Sequence, residues 1–348
     1  MRQLTLVEPG RLEWLDVPEP QLQGRGEALV RPIAVARCDV DLPMVRGLTP
    51  DPPPIAMGHE FVAEIVELSE QVFGLQRGQR VVVPFQISCG ECERCRRGLT
   101  NSCMAVPPLS QYGFGKSGGD WGGALSDLVR VPFAQSMLVP VPEQVEPAAI
   151  ASADNLPDGW RTVGPYLQES PGAAVLVVGG GAVSIGLYAA AIACALGASR
   201  VDYVDTSSRR LALAESVGAH PVEGPTPERL GPYPISVDAS ANLGGLACAL
   251  RSVEPGGVCT SGGIYFSEET PVPLLDMYTT GITFKTGRVN ARACLPAVLA
   301  LVESGRLQPE RLTTRTAAWD DAAEAFSEPS TKLVVLREPA LRSTRTSA

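Results

Sequence analysis

Basic charge is in short supply in this chain. Its 29 Lys and Arg face 38 Asp and Glu, a formal net charge of −9. Without a broad cationic footprint, a nucleic-acid or anionic-membrane partner is disfavoured. Charge of either sign is sparse, at 19% against 45% apolar residues, which argues against both disorder and a coiled coil. No internal repeat of solenoid period is present. Gly and Pro, 35 and 31 residues, follow no fibrous period and imply many turns and short strands. The opening MRQLTLVEPGRLEW meets Glu8 before any apolar core of signal-peptide length. No targeting segment is therefore expected, and the expected location is cytoplasmic. At roughly 150 residues per domain, the length suggests two domains.

What is present is more specific. The stretch Ser170–Ser199 carries no charge and is long enough to cross a bilayer. Its interior reads differently. A short apolar run (Ala173–Val178), three glycines and an Ala-rich segment (Ala182–Leu196) match a buried parallel strand, a tight turn and a buried helix. Before it, short Val/Ile runs (Glu27–Val35, Glu60–Leu68, Arg80–Pro84, Leu128–Val131) separated by Pro and Gly predict a β-rich region. After Ala173, strand-like and helix-like runs alternate: Ala174–Val178, Val183–Leu196, Val201–Asp205, Arg209–Val217, Ile235–Asp238, Leu243–Val253, Gly257–Gly262. That rhythm predicts an α/β fold with a doubly wound parallel sheet. An amphipathic helix, Leu295–Ser304, and a last strand, Lys332–Leu336, are expected near the end, followed by a fraying tail, Pro339–Ala348.

Three groups of residues carry chemistry. Of the nine cysteines, four form Cys89-x2-Cys92-x2-Cys95-x7-Cys103. An odd count with this clustering suits a reducing compartment and a metal site better than a disulfide framework. Four thiolates so spaced can close a tetrahedral structural zinc, although an iron–sulfur cluster uses similar spacing. The charged residues between them suit an exposed lobe. The second group is the turn Gly179-Gly180-Gly181-Ala182-Val183, with Asp205 24 residues beyond Gly181 at the end of the next apolar run. Glycines let the backbone approach a pyrophosphate, the helix N-terminus stabilises its charge, and the acid accepts from the adenosine ribose. The third glycine of the usual pattern is Ser184, with Gly186 two residues on. The third group is sparse. His59 sits in Met57-Gly58-His59-Glu60-Phe61, and Cys38 lies 21 residues before it in Arg37-Cys38-Asp39-Val40-Asp41. The other histidine, His220, has no such partners and reads as structural.

Together these residues resemble the zinc-dependent medium-chain alcohol dehydrogenases, from about residue 24 to 336. Gly58-His59-Glu60, the four-cysteine lobe and the glycine turn with Asp205 carry the resemblance, and their order along the chain matches. Val83-Pro84-Phe85, Tyr112-Gly113-Phe114, Gly119-Asp120-Trp121, Val131-Pro132-Phe133 and Met44-Val45-Arg46-Gly47 look most like the glutathione-independent formaldehyde dehydrogenase branch. The resemblance implies a GroES-like β-rich catalytic domain (1–145, structural lobe about 86–105), a Rossmann domain (146–285) and a return to the catalytic domain (286–348). It implies two zinc ions: a structural one on Cys89, Cys92, Cys95 and Cys103, and a catalytic one on Cys38, His59 and a third ligand within Ala153–Trp160. In the formaldehyde branch that ligand is an aspartate three residues before a proline, which matches Asp154. Glu60 would support the metal or ligate it transiently, and Asp41 would brace His59.

The implied activity is interconversion of an alcohol and its aldehyde or ketone, with zinc as Lewis acid and hydride passing to NAD. Arg210, in Thr206-Ser207-Ser208-Arg209-Arg210, would line the adenine or pair with Asp205. Asp205 implies NAD over NADP. A homodimer or homotetramer is expected, with Gly257–Phe266 resembling the paired edge. Two positions depart from the pattern: Val40 stands where a hydroxyl usually starts a proton relay, and Asp158 where a threonine lies near the nicotinamide. A formaldehyde-dehydrogenase-like aldehyde dismutase is the rival enzyme reading. A non-catalytic zinc- and nucleotide-binding redox sensor is the rival from another class.

Overall fold

The computed structural model describes residues 1–338; the expected fraying tail Pro339–Ala348 lies outside them. The chain opens with β1 (Arg2–Glu8) and β2 (Arg11–Asp16), continues through β3 (Ala28–Ala36), β4 (Ile55–Ala56), β5 (Glu60–Leu68) and β6 (Arg80–Val83), and then β7 (Val129–Val131) and β8 (Val139–Pro140). After these come β9 (Val175–Val178), β10 (Val201–Asp205), β11 (His220–Glu223), β12 (Tyr233–Asp238), β13 (Val253–Ser261) and β14 (Thr283–Lys285), and finally β15 (Arg315–Ala318) and β16 (Leu333–Leu336).

The β-rich part holds a small sheet of order β2-β1-β4 and a larger one, the first of the two main sheets, of order β15-β16-β3-β5-β6-β8, with β7 also paired to β3. Strands β3 and β5 are buried along most of their length. The last strand of the chain completes this sheet: β16 runs antiparallel to β3, Val335 opposite Val35. Residues more than 290 apart in sequence thus become neighbours, and β16 brings the residue before it, Lys332, into the interior.

The second sheet has order β11-β10-β9-β12-β13-β14, all parallel. It is the doubly wound sheet anticipated from the alternation. The order reverses between β9 and β12, and ligands of such sheets bind at the carboxyl ends of the strands at that switch point. The glycine turn sits there. A Cβ on Gly180 would lie 2.6 Å from the Ser240 carbonyl oxygen, so the turn lies flat against the end of β12. The close helix-to-sheet approach falls at Gly186, where a Cβ would meet the Ala239 Cβ at 2.9 Å. Ser184 is therefore free of that packing duty. The uncharged stretch is β9, the turn and the buried Val183–Ala195 helix. No helix among the described residues is long and apolar enough to cross a membrane.

One element is illegible by propensity. The interior of the Asn155–Glu169 helix contains Gly159, Gly164 and Pro165, each a poor choice there, while Pro157 lies in the first turn, where proline is tolerated. Packing overrides propensity. The helix lies against Val183–Ala195 so closely that a Cβ on Gly159 would be 2.8 Å from the Tyr188 Cβ, and Leu156, Trp160, Val163 and Leu167 share one core with Leu187, Ile192 and Val177. This core runs from the first sheet, through Ala34, Val62 and Val82, into the second. Asp154, the residue before that helix, is thereby set between the two sheets.

Candidate active site

The four-cysteine lobe is built from turns. Cys92 precedes the short Glu93–Arg96 helix, Cys95 lies within it, and Cys103 follows a single 3-10 turn. One sulfur from each of Cys89, Cys92, Cys95 and Cys103 lies within 4.8 Å of the others, and all four thiols are free of disulfides. A single tetrahedral ion with bonds of about 2.3 Å holds its sulfurs about 3.8 Å apart, so the cluster suits one ion. Backbone amides already serve the sulfurs: Cys92 N to Cys89 Sγ, Met104 N to Cys92 Sγ, and Cys89 N and Ala105 N to Cys103 Sγ, each at 3.4 Å. The Met104 amide leads in drawing the Cys92 thiol down to about 6. Burial pushes Cys95 up to about 12, a cost that a cation removes.

The second cluster is Cys38, His59 and Asp154. Cys38 follows β3, His59 precedes β5, and Asp154 caps the Asn155–Glu169 helix. As a helix-capping aspartate it would ordinarily accept from its own helix amides. It does not. Its Oδ2 instead lies 3.4 Å from Cys38 Sγ and 3.4 Å from His59 Nε2. His59 is fully buried, and neither ring nitrogen has a hydrogen-bond partner. Asp41 Oδ1 approaches Nδ1 to 3.4 Å without forming a hydrogen bond, while its Oδ2 accepts from Cys38 N at 2.8 Å. Burial lowers the basicity of His59, yet Asp41 and Asp154 together outweigh it and raise the ring to about 8. Burial, reinforced by Asp154 and Glu60, holds the Cys38 thiol well above its ordinary range. A thiol that cannot ionise and an orphaned imidazole beside a carboxylate are what a zinc ion resolves, and the donor set of sulfur, nitrogen and oxygen suits it. Phe85 and Phe114 pack on the ring at 5.4 and 4.9 Å between centroids. With Val289, Ala291 and Cys294 they make an apolar wall.

Glu60 does not join the cluster. Its Oε1 accepts from Ser152 Oγ at 2.8 Å, Asn155 N at 2.7 Å and Asp154 N at 3.1 Å. Its Oε2 pairs with Lys332 Nζ at 2.5 Å, both side chains fully buried. Glu60 thus holds the backbone that carries Asp154, which fits a supporting role. Asp158 also lies outside the cluster, paired with Arg161 at 2.5 Å; burial raises its carboxyl to about 6. Arg161 reaches on to the Ser261 carbonyl oxygen at 3.2 Å, at the end of β13. His220 is exposed at the start of β11 and pairs with Asp202.

At the nucleotide end, Gly179–Gly181 turn at the end of β9, and the amides of Gly181 and Ala182 donate to the Ser240 and Ala239 carbonyls. Val183 opens the helix. Asp205 ends β10 directly beneath the turn: a Cβ on Gly179 would lie 2.6 Å from its Oδ2. Of the two roles considered for Arg210, the structure shows the ion pair, with Nε to Oδ2 at 2.7 Å and Nη2 to Oδ1 at 2.5 Å. Ser207 N also donates to Oδ1, at 2.9 Å.

Lys332 was not singled out from the sequence, and Asn155 stood there only as a substitute for Asp154 in the third-ligand stretch. Lys332 donates to Glu60, to the Arg37 carbonyl at 2.9 Å and to Asn155 Oδ1 at 3.0 Å. Asn155 Nδ2 donates to Cys38 Sγ at 3.2 Å. The one available signal was a lysine opening an otherwise wholly apolar last strand.

Known proteins agree with this architecture. Residues 24–143 match the alcohol dehydrogenase GroES-like domain family, and residues 184–304 the zinc-binding dehydrogenase family. A probable zinc-binding alcohol dehydrogenase of Mycobacterium tuberculosis is 32% identical over 94% of this chain and 85% of its own. A glutathione-independent formaldehyde dehydrogenase of Bacillus subtilis is 29% identical over 90% of this chain and 86% of its own. Among solved structures, alcohol dehydrogenase TADH from Thermus superposes with a TM-score of 0.87 at 31% identity, covering 97% of this chain and all of that one. The chain belongs to the zinc-dependent medium-chain alcohol dehydrogenase family. It is an oxidoreductase of the alcohol dehydrogenase type, with a GroES-like domain and a Rossmann domain.

The buried Glu60–Lys332 pair yields a stability prediction. Lys332→Met leaves a buried carboxylate without its cation and should cost about 3–5 kcal/mol. Adding Glu60→Gln removes the stranded charge and should recover part of that loss. Urea unfolding of the three variants measures it; additive single losses would contradict the coupling.

Proposed function

We propose that this chain is an NAD(H)-dependent dehydrogenase of small alcohols and their aldehydes or ketones, with a catalytic zinc on Cys38, His59 and Asp154 and a structural zinc on Cys89, Cys92, Cys95 and Cys103. The convergence of Cys38, His59 and Asp154 on one point, with both nitrogens of a buried imidazole orphaned, carries the reading. Zinc supplies Lewis acidity there, and the nicotinamide accepts or donates the hydride. The chain supplies the rest. Asn155 fixes the Cys38 sulfur, Asp41 faces the far side of His59, and Glu60 with Lys332 fixes the Asp154 backbone. Phe85, Phe114 and Val289 exclude water and offer an apolar face to the substrate. Gly179–Val183 receive the pyrophosphate, and Asp205 with Arg210 bounds the adenosine ribose. The domain division 1–145, 146–285 and 286–348 is supported by sheet membership: β14, at residue 285, is the last strand of the second sheet, and β15 and β16 belong to the first. Nine free cysteines among the described residues fit a reducing, cytoplasmic setting.

The metal assignment is tested by removing Asp154, whose carboxylate no other acid in the cluster replaces. Asp154→Ala should abolish turnover while nucleotide affinity changes less than about threefold, since the turn and Asp205 are untouched. Under a chelator the three-ligand site should empty before the four-sulfur site. Metal analysis alongside alcohol-dependent nicotinamide absorbance reads both. Retained activity in Asp154→Ala would move the ligand elsewhere.

Support for NAD over NADP comes from Asp205, buried at the rim beneath Gly179. A 2′-phosphate would bring about two negative charges against that carboxylate. Because Arg210 already neutralises part of it, the expected preference is on the order of tenfold or more in kcat/KM. Equal values for the two nucleotides would sink the role of Asp205.

A homo-oligomer is supported by an apolar surface beside a free sheet edge. That edge is β14, one strand beyond the segment 257–266 first suspected. Ile264, Phe266, Leu274, Leu275 and Tyr278 are exposed in the same region, Tyr278 at 83%. Contiguous exposed apolar residues mark an interaction surface. Light scattering at micromolar concentration should give a dimer or tetramer, and Leu275→Glu with Tyr278→Glu should dissociate it; a monomeric parent refutes the proposal.

A further inference from the structure

Ser184 departs from the usual nucleotide-turn pattern, and the fold brings it against Asp39. Asp39 follows the ligand Cys38, and Ser184 replaces the third glycine of the nucleotide turn. They are 145 residues apart along the chain. In the structure, the Asp39 carboxylate accepts from Ser184 N at 2.8 and 3.1 Å, from Ile185 N at 3.4 Å, and from the Ser184 hydroxyl. Ser184 and Ile185 are the second and third residues of the Val183–Ala195 helix, whose own capping residue, Ala182, offers no side-chain acceptor. Their amides are donors that a helix leaves without internal partners. The cap therefore comes from the other domain. The network closes on the metal cluster: Asn155 Oδ1 accepts from Asp39 N at 3.2 Å and lies 3.2 Å from Ser184 Oγ, and Asn155 Nδ2 donates to Cys38 Sγ.

We propose that Asp39 is a resident anion at the dinucleotide helix, so that the pyrophosphate of an arriving nucleotide binds against it and Asp39 sets nucleotide affinity. This rests on reading the Gly179–Val183 turn as the nucleotide site. The N-terminus of a helix is worth roughly half a positive charge, concentrated in its first turn. Asp39 already occupies two of that turn's amides and places a negative charge where a pyrophosphate brings more. The Ser184 hydroxyl, which a glycine would lack, adds a donor that keeps the carboxylate there. Burial raises the Asp39 carboxyl to about 6, with Lys332 and the Ser184 hydroxyl pulling the other way; the Lys332 ammonium itself is bonded to Glu60. The same contact ties the loop carrying Cys38 to the nucleotide helix, so a nucleotide that displaces Asp39 also loosens the loop that holds a metal ligand.

Equilibrium binding of ADP-ribose and of adenosine to the metal-loaded chain tests this, since only the first carries a pyrophosphate. Asp39→Asn keeps the shape and removes the charge. ADP-ribose should bind about 5- to 20-fold more tightly at low salt, the gain shrinking as salt rises, while adenosine affinity stays constant. Asp39→Ser, a second charge-free variant, should move ADP-ribose the same way. Ser184→Gly keeps the charge but loosens its hold, giving a smaller gain of the same sign. Unchanged or weaker ADP-ribose binding in both Asp39 variants overturns the proposal while leaving the nucleotide site standing. If parent and variants alike fail to bind ADP-ribose, the nucleotide reading itself falls and the proposal with it.

Discussion

A lysine ammonium with no solvent contact sits at the junction of the two sheets, and much of the molecule is arranged around it. Lys332 meets Glu60, the Arg37 carbonyl and Asn155. Those three partners come from the ends of β3 and β5 and from the start of the Asn155–Glu169 helix. Burying one charge is costly, and burying two is tolerable only when they meet with further hydrogen bonds. Glu60 has those bonds, from Ser152 and from the Asp154 and Asn155 amides. The requirement that every one of these groups be satisfied leaves little freedom in how the first sheet, the second sheet and the connecting helix sit against one another.

The geometry of the Cys38, His59 and Asp154 cluster follows from that junction. Asp154 cannot drift, because its amide is held by Glu60, and its side chain is not spent on capping its own helix. Cys38 cannot drift, because Asn155 holds its sulfur and Asp41 its amide. What remains is a pocket with several acids, a thiol and an imidazole, and a lysine already committed to Glu60. Such a pocket is electrostatically incomplete without a cation, which is why the His59 ring is driven up to about 8 and the Cys38 thiol is held protonated. A metal ion removes both penalties at once.

Charge also links the Cys38–His59–Asp154 cluster to the helix after the glycine turn. Asp39 is the neighbour of Cys38 and the cap of the helix that opens at Val183. Ser184 gave up the packing duty usually met at its position because Gly186 approaches Ala239 instead. That substitution freed a hydroxyl for the inter-domain contact. Asp39 and Ser184, 145 residues apart along the chain, are one feature in space.

The parts legible from the sequence are those whose physical cause is local. Four cysteines within one lobe, a glycine turn between a β-strand and a helix, and the alternation of apolar runs after Ala173 depend on neighbours a few residues away, so spacing reports them. Asp154 was named through its place before Pro157, but no local feature separated it from Asn155 or Asp158. Only the tertiary structure showed that Asp154 meets both Cys38, 116 residues earlier, and His59, that Asn155 instead donates to the Cys38 sulfur, and that Asp158 pairs with Arg161. The Asn155–Glu169 helix, broken on paper by glycines and a proline, exists because close packing on Val183–Ala195 repays what propensity loses. Lys332 and Glu60 stand 272 residues apart. No spacing rule reaches that far, because a buried ion pair is chosen by the fold that encloses it, and that enclosure depends on the whole chain.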